Sequence, residues 1–443
     1  PPPPPAQPMA RKARILLIHQ NFPGQYLHLA QALQRRGDEL VSIGAGTARA
    51  LPGIPLHRYN PMPAGGVPAC HPWVADQQTK ALRAEAVAAL LQRLLQTMDP
   101  PDLVLGHPGW GELLALDEVL PEVPVLHQPE FVYRLDGADF GFDPEFPPTT
   151  PFSRTRLNLR RGIQLLTMEA HPHAMVPTWF QWSSIPGPYR HGVQVIHEGV
   201  DTERIRPPTA KQPAEPMTLM QQQIRIDADS EIVTFASRNL EPYRGFHVFM
   251  RMLPALQRLR PNARVIIIGA DGVSYGSAPP GGGSWRQALL RELDGQLEMD
   301  RIHFVGKLPL PALHAVLRLT RVHVYFTVPF VLSWSMLEAM ACGAVLIGSR
   351  TAPVQELIRH GDNGLLVDFF DGEGLAEMIA RVLADPAAHA PLGKAARRLV
   401  ERDYDLKRVC LPQQLRLVDR MLSGHPPAPV EPPAELAELL LPG

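Results

Sequence analysis

From Ala13 onward, short apolar runs alternate with turns and with stretches of helical period. ARILLIHQ (13–20) has the composition of a buried strand, NFPGQ follows as a glycine turn, and YLHLAQALQRRG (26–37) reads as a helix closed by Gly37. The same strand, turn and helix unit is predicted in DLVLGHPGWGELLALDEVL (102–120) and again from VPVLHQPEFVYR (123–134); their apolar runs end in loops that carry His107 and His127. Strands apolar on both faces, alternating with helices, predict a parallel sheet covered on both sides.

The period breaks at PPTAKQPAEP, residues 207–216, which reads as a linker. Beyond it EIVTFAS, RVIIIGA, IHFVG, VHVYF and AVLIGS are strand-type runs, FHVFMRMLPALQRL is a helix, and residues 272–283 form a glycine-rich insert. DLKRVCLPQQLRLVDRML reads as a helix packed on one of the two domain faces, and proline-rich residues 1–12 and 424–443 as mobile tails. The expected organisation is therefore an N-terminal domain over 13–206, the linker, a second domain over 217–405 and a C-terminal helix over 406–423. The fold class is α/β, with two Rossmann-like, doubly wound domains facing across a cleft, and ligands expected at the carboxyl ends of both sheets.

A length of 443 residues suits two domains. Lys and Arg number 43 and Asp and Glu 44, so no global field recruits nucleic acid, and an anionic ligand needs a local cationic site. Cys70, Cys342 and Cys410 are widely spaced and without CxxC, which suggests neither disulfides nor zinc and fits a reducing cytoplasm. No apolar run approaches the roughly 20 residues of a membrane span, which leaves only a peripheral membrane contact open. No DxD-like pair ends a strand, so no catalytic metal is expected, and no other cofactor.

The most informative string is FVLSWSMLEAMACG (330–343). A loop entering a helix there exposes the N–H groups of Ser333, Trp334 and Ser335 to a diphosphate, and Glu338 can accept hydrogen bonds from two vicinal ribose hydroxyls. The alternative is a good helix-forming run with an exposed glutamate. In SRNLEPYRGF (237–246), Arg238 and Arg244 can neutralise charge developing on a leaving diphosphate; loop arginines are otherwise simply solvated. In HQNFPGQ (19–25), Gly24 permits close backbone approach and Gln25 starts the helix, or the string is an ordinary turn.

Together these strings resemble the retaining GT-B glycosyltransferases of family four, over residues 13 to about 405. The strings HQNFPGQ, VPTWFQW and PFVLSWSMLEAMA are similar to those of a bacterial subgroup. The resemblance implies transfer of a sugar from a nucleotide-sugar donor to a sugar, lipid-linked or other small acceptor, in glycoconjugate synthesis. It implies retention of configuration without a covalent intermediate, the leaving phosphate serving as base. Arg238 and Arg244 match the family's Arg and Lys pair, with one extra residue between them. Gly24 matches its glycine loop facing phosphates and acceptor, which places Asn21, Gln25 and His107 on the acceptor side. His127 matches a histidine that reaches the donor sugar, although strand-end histidines often serve local hydrogen bonds. VIHEGVDTERIRP (195–207) resembles the interdomain Pro-Asn-Gly-Val-Asp segment, with Glu198 for asparagine, and TAPVQELIRHGDNGLLV (351–367) supplies Glu356 on the donor side. One departure stands out: eight positions before Glu338, where the family has a glutamate that contacts the donor sugar, the chain has Phe330. On this reading Phe330→Glu alters donor preference more than the ability to transfer. A nucleotide-sugar epimerase and an inactive sugar-nucleotide-binding scaffold share the architecture; a dinucleotide oxidoreductase would require GxGxxG after the first strand.

Overall fold

The computed structural model describes residues 12–442 other than 64, 149–151, 210, 212, 214, 220–223 and 228. The N-terminal half holds β1 (Arg14–Ile18), α1 (Leu27–Arg36), β2 (Glu39–Gly44), β3 (Leu56–Arg58), α2 (Ala75–Leu94), β4 (Leu103–Gly106), β5 (Val125–His127), α3 (Ser153–Ala170), β6 (Ala174–Val176), α4 (Trp179–Ser184) and β7 (Val193–Val195). Its seven strands form one parallel sheet in the order β3-β2-β1-β4-β5-β6-β7. Ile15 through Ile18 are wholly buried, as expected of a central strand covered on both faces.

A short antiparallel pair, β8 (Met217–Leu219) and β9 (Ile224–Ile226), precedes the second sheet. That sheet comprises β10 (Ile232–Asn239), β11 (Arg264–Ala270), β12 (Ile302–Gly306), β13 (Val322–Tyr325), β14 (Val345–Ser349) and β15 (Leu365–Val367), all parallel, in the order β12-β11-β10-β13-β14-β15. Its helices are α5 (Phe246–Leu259), α6 (Trp285–Glu292), α7 (Leu310–Leu319), α8 (Trp334–Ala341), α9 (Ala352–Gln355), α10 (Gly372–Ala384) and α11 (Pro386–Asp403). In each sheet the strand order reverses beside the first strand of its half, at β1/β4 and at β10/β13, which is where an open α/β sheet leaves a crevice for ligand.

The last long helix, α12 (Leu411–Leu422), crosses back to the N-terminal half. Its Leu417, Val418 and Met421 share a core with Leu29 and Leu33 of α1, and Arg36 pairs with Asp419 at 2.5 Å. The two crossing segments bond to each other: the Val200 N–H donates to the Tyr404 carbonyl at 2.8 Å and the Leu406 N–H to the Val200 carbonyl at 2.9 Å. Gly199 makes this possible, since its φ is +88° and a Cβ there would lie 2.7 Å from Leu406 Cα.

Three expectations are corrected. No helix follows β4: after the short turn Pro108–Trp110, Gly111 takes φ +92° against the backbone of Lys80, and the chain proceeds in turns that still bury Leu113, Leu116 and Leu120. The helical spacing there reported burial rather than helix. No helix follows β5 directly either; residues 128–148 form a long irregular segment. Residues 424–442 are not a free tail. Prolines keep residues 425–433 out of helix and sheet, Ala434–Leu439 forms a short 3-10 helix, and the segment is tied down along its length: Arg134 donates to the Pro442 carbonyl at 2.7 Å and Gln194 to that of Ala428 at 2.9 Å, while Leu441 is buried and donates its N–H to Ser183 Oγ. The tail expected over residues 1–12 lies, for 1–11, outside the described residues. Among the described residues no helix is long and apolar enough to cross a membrane.

Candidate functional site

Loops from the carboxyl ends of both sheets enclose a cavity of about 660 Å³ between the two halves. Asn21, Gly24, Gln25, Arg238, Arg244, Ser333, Trp334, Ser335 and Glu338, all singled out in the sequence, line it.

On the C-terminal wall, the loop after β10 brings Arg238 and Arg244. Arg244 is nearly buried and its Nη1 donates to the Val331 carbonyl (2.7 Å), Thr327 Oγ1 (2.9 Å) and Tyr325 Oη (3.2 Å), with its guanidinium 5.6 Å from the centre of the Tyr275 ring. These bonds are all to neutral groups, so its charge is held in place without being cancelled. Arg238 and Lys307, the latter following β12, are exposed and form no hydrogen bond or ion pair among the described residues. Three cations thus face one cavity. Glu241, buried in the same loop, accepts N–H bonds from Ser274, Tyr275 and Gly276 and so pins the glycine-rich insert at the cavity edge.

The start of α8 is more selective than the sequence implied. Ser333 caps it, accepting the Ser335 N–H on Oγ, and the Ser333 N–H donates to Tyr325 Oη at 2.6 Å. The Trp334 N–H is the one of the three without a protein acceptor among the described residues. One turn on, Glu338 Oε1 meets His314 Nε2 of α7 at 3.2 Å, and Ile268, Leu308, Leu310 and Leu313 form an apolar wall beside it.

On the N-terminal wall Gly24 has φ +48°, and a Cβ there would come within 2.3 Å of the His19 ring. His19 Nδ1 accepts the Asn21 N–H at 3.0 Å, so its proton sits on Nε2, which donates to Gln25 Oε1 at 2.8 Å. Burial lowers its pKa to about 4 and keeps it neutral. Trp110 meets His19 edge-on at 4.8 Å. Glu130, just past β5, and Glu198, in the crossing segment, complete this wall. Glu198 is pushed up to about 7 by burial.

Four residues assigned to the site lie elsewhere. His127 is fully buried; its Nε2 donates to the His171 carbonyl at 2.8 Å, binding β5 to the strand-side loop before β6, and burial drops it to about 3. His107 stacks on Trp110 at 4.1 Å and accepts the Gly109 N–H, so it supports the wall from behind. Glu356 accepts the Trp179 and Phe180 N–H groups at 2.8 Å each, capping α4 of the other half, and burial raises it to about 7. Phe330 is 2% exposed and lies among Phe131, Tyr133, Tyr243 and Tyr275. The residues not anticipated in a site role are His19, Trp110, Glu130, Glu198, Glu241, Tyr275, Lys307 and His314. The signal for Glu130 and Glu198 was present: each is an acid within a quoted loop string, HQPEF or HEGVD.

Comparison with known proteins agrees with this geometry. Residues 36–205 match the family described as glycosyl transferase family 4 group, and residues 217–399 match glycosyl transferases group 1. The chain belongs to the group 1, family 4 glycosyltransferases and has their GT-B fold. It is 26% identical over 211 residues to the D-inositol 3-phosphate glycosyltransferase of Thermobispora bispora, an alignment covering 47% of this chain and 46% of the relative. The chain thus spans about half or less of the length of the first curated relatives it matches. A longer alignment, 24% identical over 396 residues, covers 85% of the chain and 86% of the enzyme of the same name from Xylanimonas cellulosilytica. Among solved structures, HepE of Anabaena in complex with UDP and glucose superposes with a TM-score of 0.63 at 17% identity, covering 93% of this chain and all of HepE.

Proposed function

We propose that the chain transfers a sugar from a nucleotide-sugar donor to a small, sugar or lipid-linked acceptor, with retention of configuration and without a metal ion. The observation that carries this reading is the joining, in one cavity, of an open helix-start amide, three cations and Glu338 beside an apolar wall. A nucleoside fits the apolar side with its ribose hydroxyls on Glu338, and a diphosphate fits the Trp334 N–H, Arg238, Arg244 and Lys307. The names of the relatives and the UDP and glucose bound by HepE support the same donor chemistry.

In this mechanism the acceptor hydroxyl attacks from the face that the nucleotide leaves, and its proton passes to the departing phosphate. The guanidiniums and Lys307 stabilise the charge that builds on that phosphate, and closure of the two halves excludes water. His19, neutral and oriented by Gln25, fixes the acceptor wall rather than moving a proton. The site would lie on a soluble face open to cytoplasmic donors or to acceptors at a membrane surface.

A panel of nucleotide sugars, with mass spectrometry of the products and calorimetry of nucleoside diphosphates, tests the reading. Transfer is expected to persist in excess EDTA and to preserve the anomeric configuration in the NMR spectrum of the product. Glu338→Ala is expected to weaken diphosphate binding by about 1.5–3 kcal/mol. Binding of donors without any transfer or hydrolysis would make the protein a scaffold, and an inverted product would overturn the mechanism.

A further inference from the structure

One wall of the cleft belongs by sequence to the N-terminal half and by packing to the other. The segment that follows β5 leaves its sheet and docks on the second half: Phe131 joins that half's core, 4.8 Å from Phe330, Phe142 stacks on Phe370 at 5.5 Å, and Phe146 meets Trp285 edge-on at 5.1 Å. A close contact between Asp143 Oδ2 and His247 Nε2 at 3.0 Å and an ion pair between Glu145 and Arg251 at 2.6 Å fasten it further. Glu130 stands at the head of this segment. Its side chain is exposed to the cavity it lines, and desolvation by the walls of that cavity raises its pKa against the pull of Arg238 and Arg244. It therefore lies beside the cations assigned to the diphosphate. Glu198 is next along the same wall. Gln128, two residues before Glu130, donates to Glu198 Oε1 at 2.7 Å, and Glu198 Oε2 is buried without a hydrogen-bond partner among the described residues.

We propose that Glu130 and Glu198 form the subsite for the hydroxyl groups of the donor's sugar, carried to the diphosphate by the segment docked on the second half. The proposal rests on the cleft being a nucleotide-sugar site. The sugar is joined directly to the diphosphate, so its hydroxyls fall within reach of groups that border the phosphate cations. Carboxyl groups suit them because they accept two or more hydrogen bonds and, when protonated, donate one as well. Desolvation raises the pKa of both, that of Glu198 to about 7, which lessens the repulsion that two fully ionised carboxylates would exert on the diphosphate. Phe330 supplies no polar group here, and its ring instead braces Phe131 and Tyr275, the neighbours of Glu130.

Calorimetry separates this role from the rest of the site. UDP, GDP and ADP are titrated into the full chain alongside UDP-glucose, GDP-mannose and ADP-glucose, and the best-binding diphosphate and its conjugate are carried forward. Glu130→Gln is expected to leave the affinity for that diphosphate within about twofold and to weaken the sugar conjugate about tenfold, the loss of one good hydrogen bond. Glu198→Gln is expected to act in the same direction and serves alone if Glu130→Gln does not fold. Equal loss for diphosphate and conjugate, or no loss for either, overturns the subsite. If none of the six probes binds the unaltered chain, the nucleotide-sugar reading fails, and the subsite with it.

Discussion

Phe330 illustrates how one side chain changes the reading of a site. By the resemblance, its position in the string FVLSWSMLEAMACG is that of a sugar-contacting acid, but the ring is buried and touches four other aromatic side chains. Arg244 is 6.0 Å from the ring centre and already donates to three neutral partners. A carboxylate placed there would lose its hydration with no good partner to replace it. Phe330→Glu is therefore expected to cost about 3 kcal/mol or more and to lower the melting temperature by several degrees, which scanning calorimetry would show. A variant as stable as the parent and altered only in donor preference would contradict this packing argument. The two strand-end histidines follow the same logic: His127 satisfies a backbone carbonyl and His107 carries a ring stack, both the bland uses open to such residues.

Among the elements, α12 has the clearest energetic role. Leu417, Val418 and Met421 complete the core behind α1, far in sequence from the sheet that they cover. Leu417→Ala is expected to cost about 2–5 kcal/mol, the range for a large-to-small change in a core. Because α12 packs away from Glu338 and Arg244, nucleoside diphosphate affinity at saturating folded protein should hardly change. A large drop in that affinity, with stability intact, would show that the helix acts on the cleft instead. Much of this architecture was legible in the chain. RVIIIGA and FHVFMRMLPALQRL match β11 and α5 over their full lengths, because uninterrupted apolar runs and a strongly one-sided helix leave little choice of partner. The stretch after β4 was misread because Leu113, Leu116 and Leu120 keep helical spacing while Gly111 turns the backbone out of the helix. In the site, the strings that enter at strand ends pointed to Arg238, Arg244, Glu338 and Gly24, all of which line the cavity, but not to Lys307. They could not show that residues 128–148 dock on the other half, since that depends on which aromatic rings meet across a distance the sequence does not encode locally.

For the molecule as a whole, buried titratable groups set the response to pH. Burial holds His19 and His197 at about 4 and His127 and His323 at about 3, so they are neutral in the fold and take up protons on unfolding. The stability they contribute is complete above the ordinary value of 6.5 and is lost as pH falls toward 4 and 3. Glu112, Glu198 and Glu356, raised by burial to about 7, and Asp139, raised to about 6, have the opposite sense: unfolding releases their protons, and stability is lost as pH rises through those values. The two sets oppose each other between the ordinary carboxyl value of 4.5 and 6.5. Below that interval only the loss on acidification remains, joined by Glu145, whose pKa the Arg251 bond lowers. The melting temperature is expected to be nearly level from about pH 5 to 7 and to fall steeply below about 4.5. A melting temperature that keeps rising down to pH 4 would show that the histidines are not neutral in the fold.

The return of α12 also bears on how such a protein can be altered by exchange of parts. The N-terminal half is assembled from two separated stretches of chain, with its sheet written early and the helix that seals α1 written near the end. A chimera that takes everything after residue 217 from another family member would inherit a foreign α12 and set it against the native face of Leu29 and Leu33. Swapping donor specificity by grafting the second half therefore calls for an insertion that leaves residues 411–422 native, so that the graft has two junctions, at the bridged crossing segments of residues 200 and 405, in place of one.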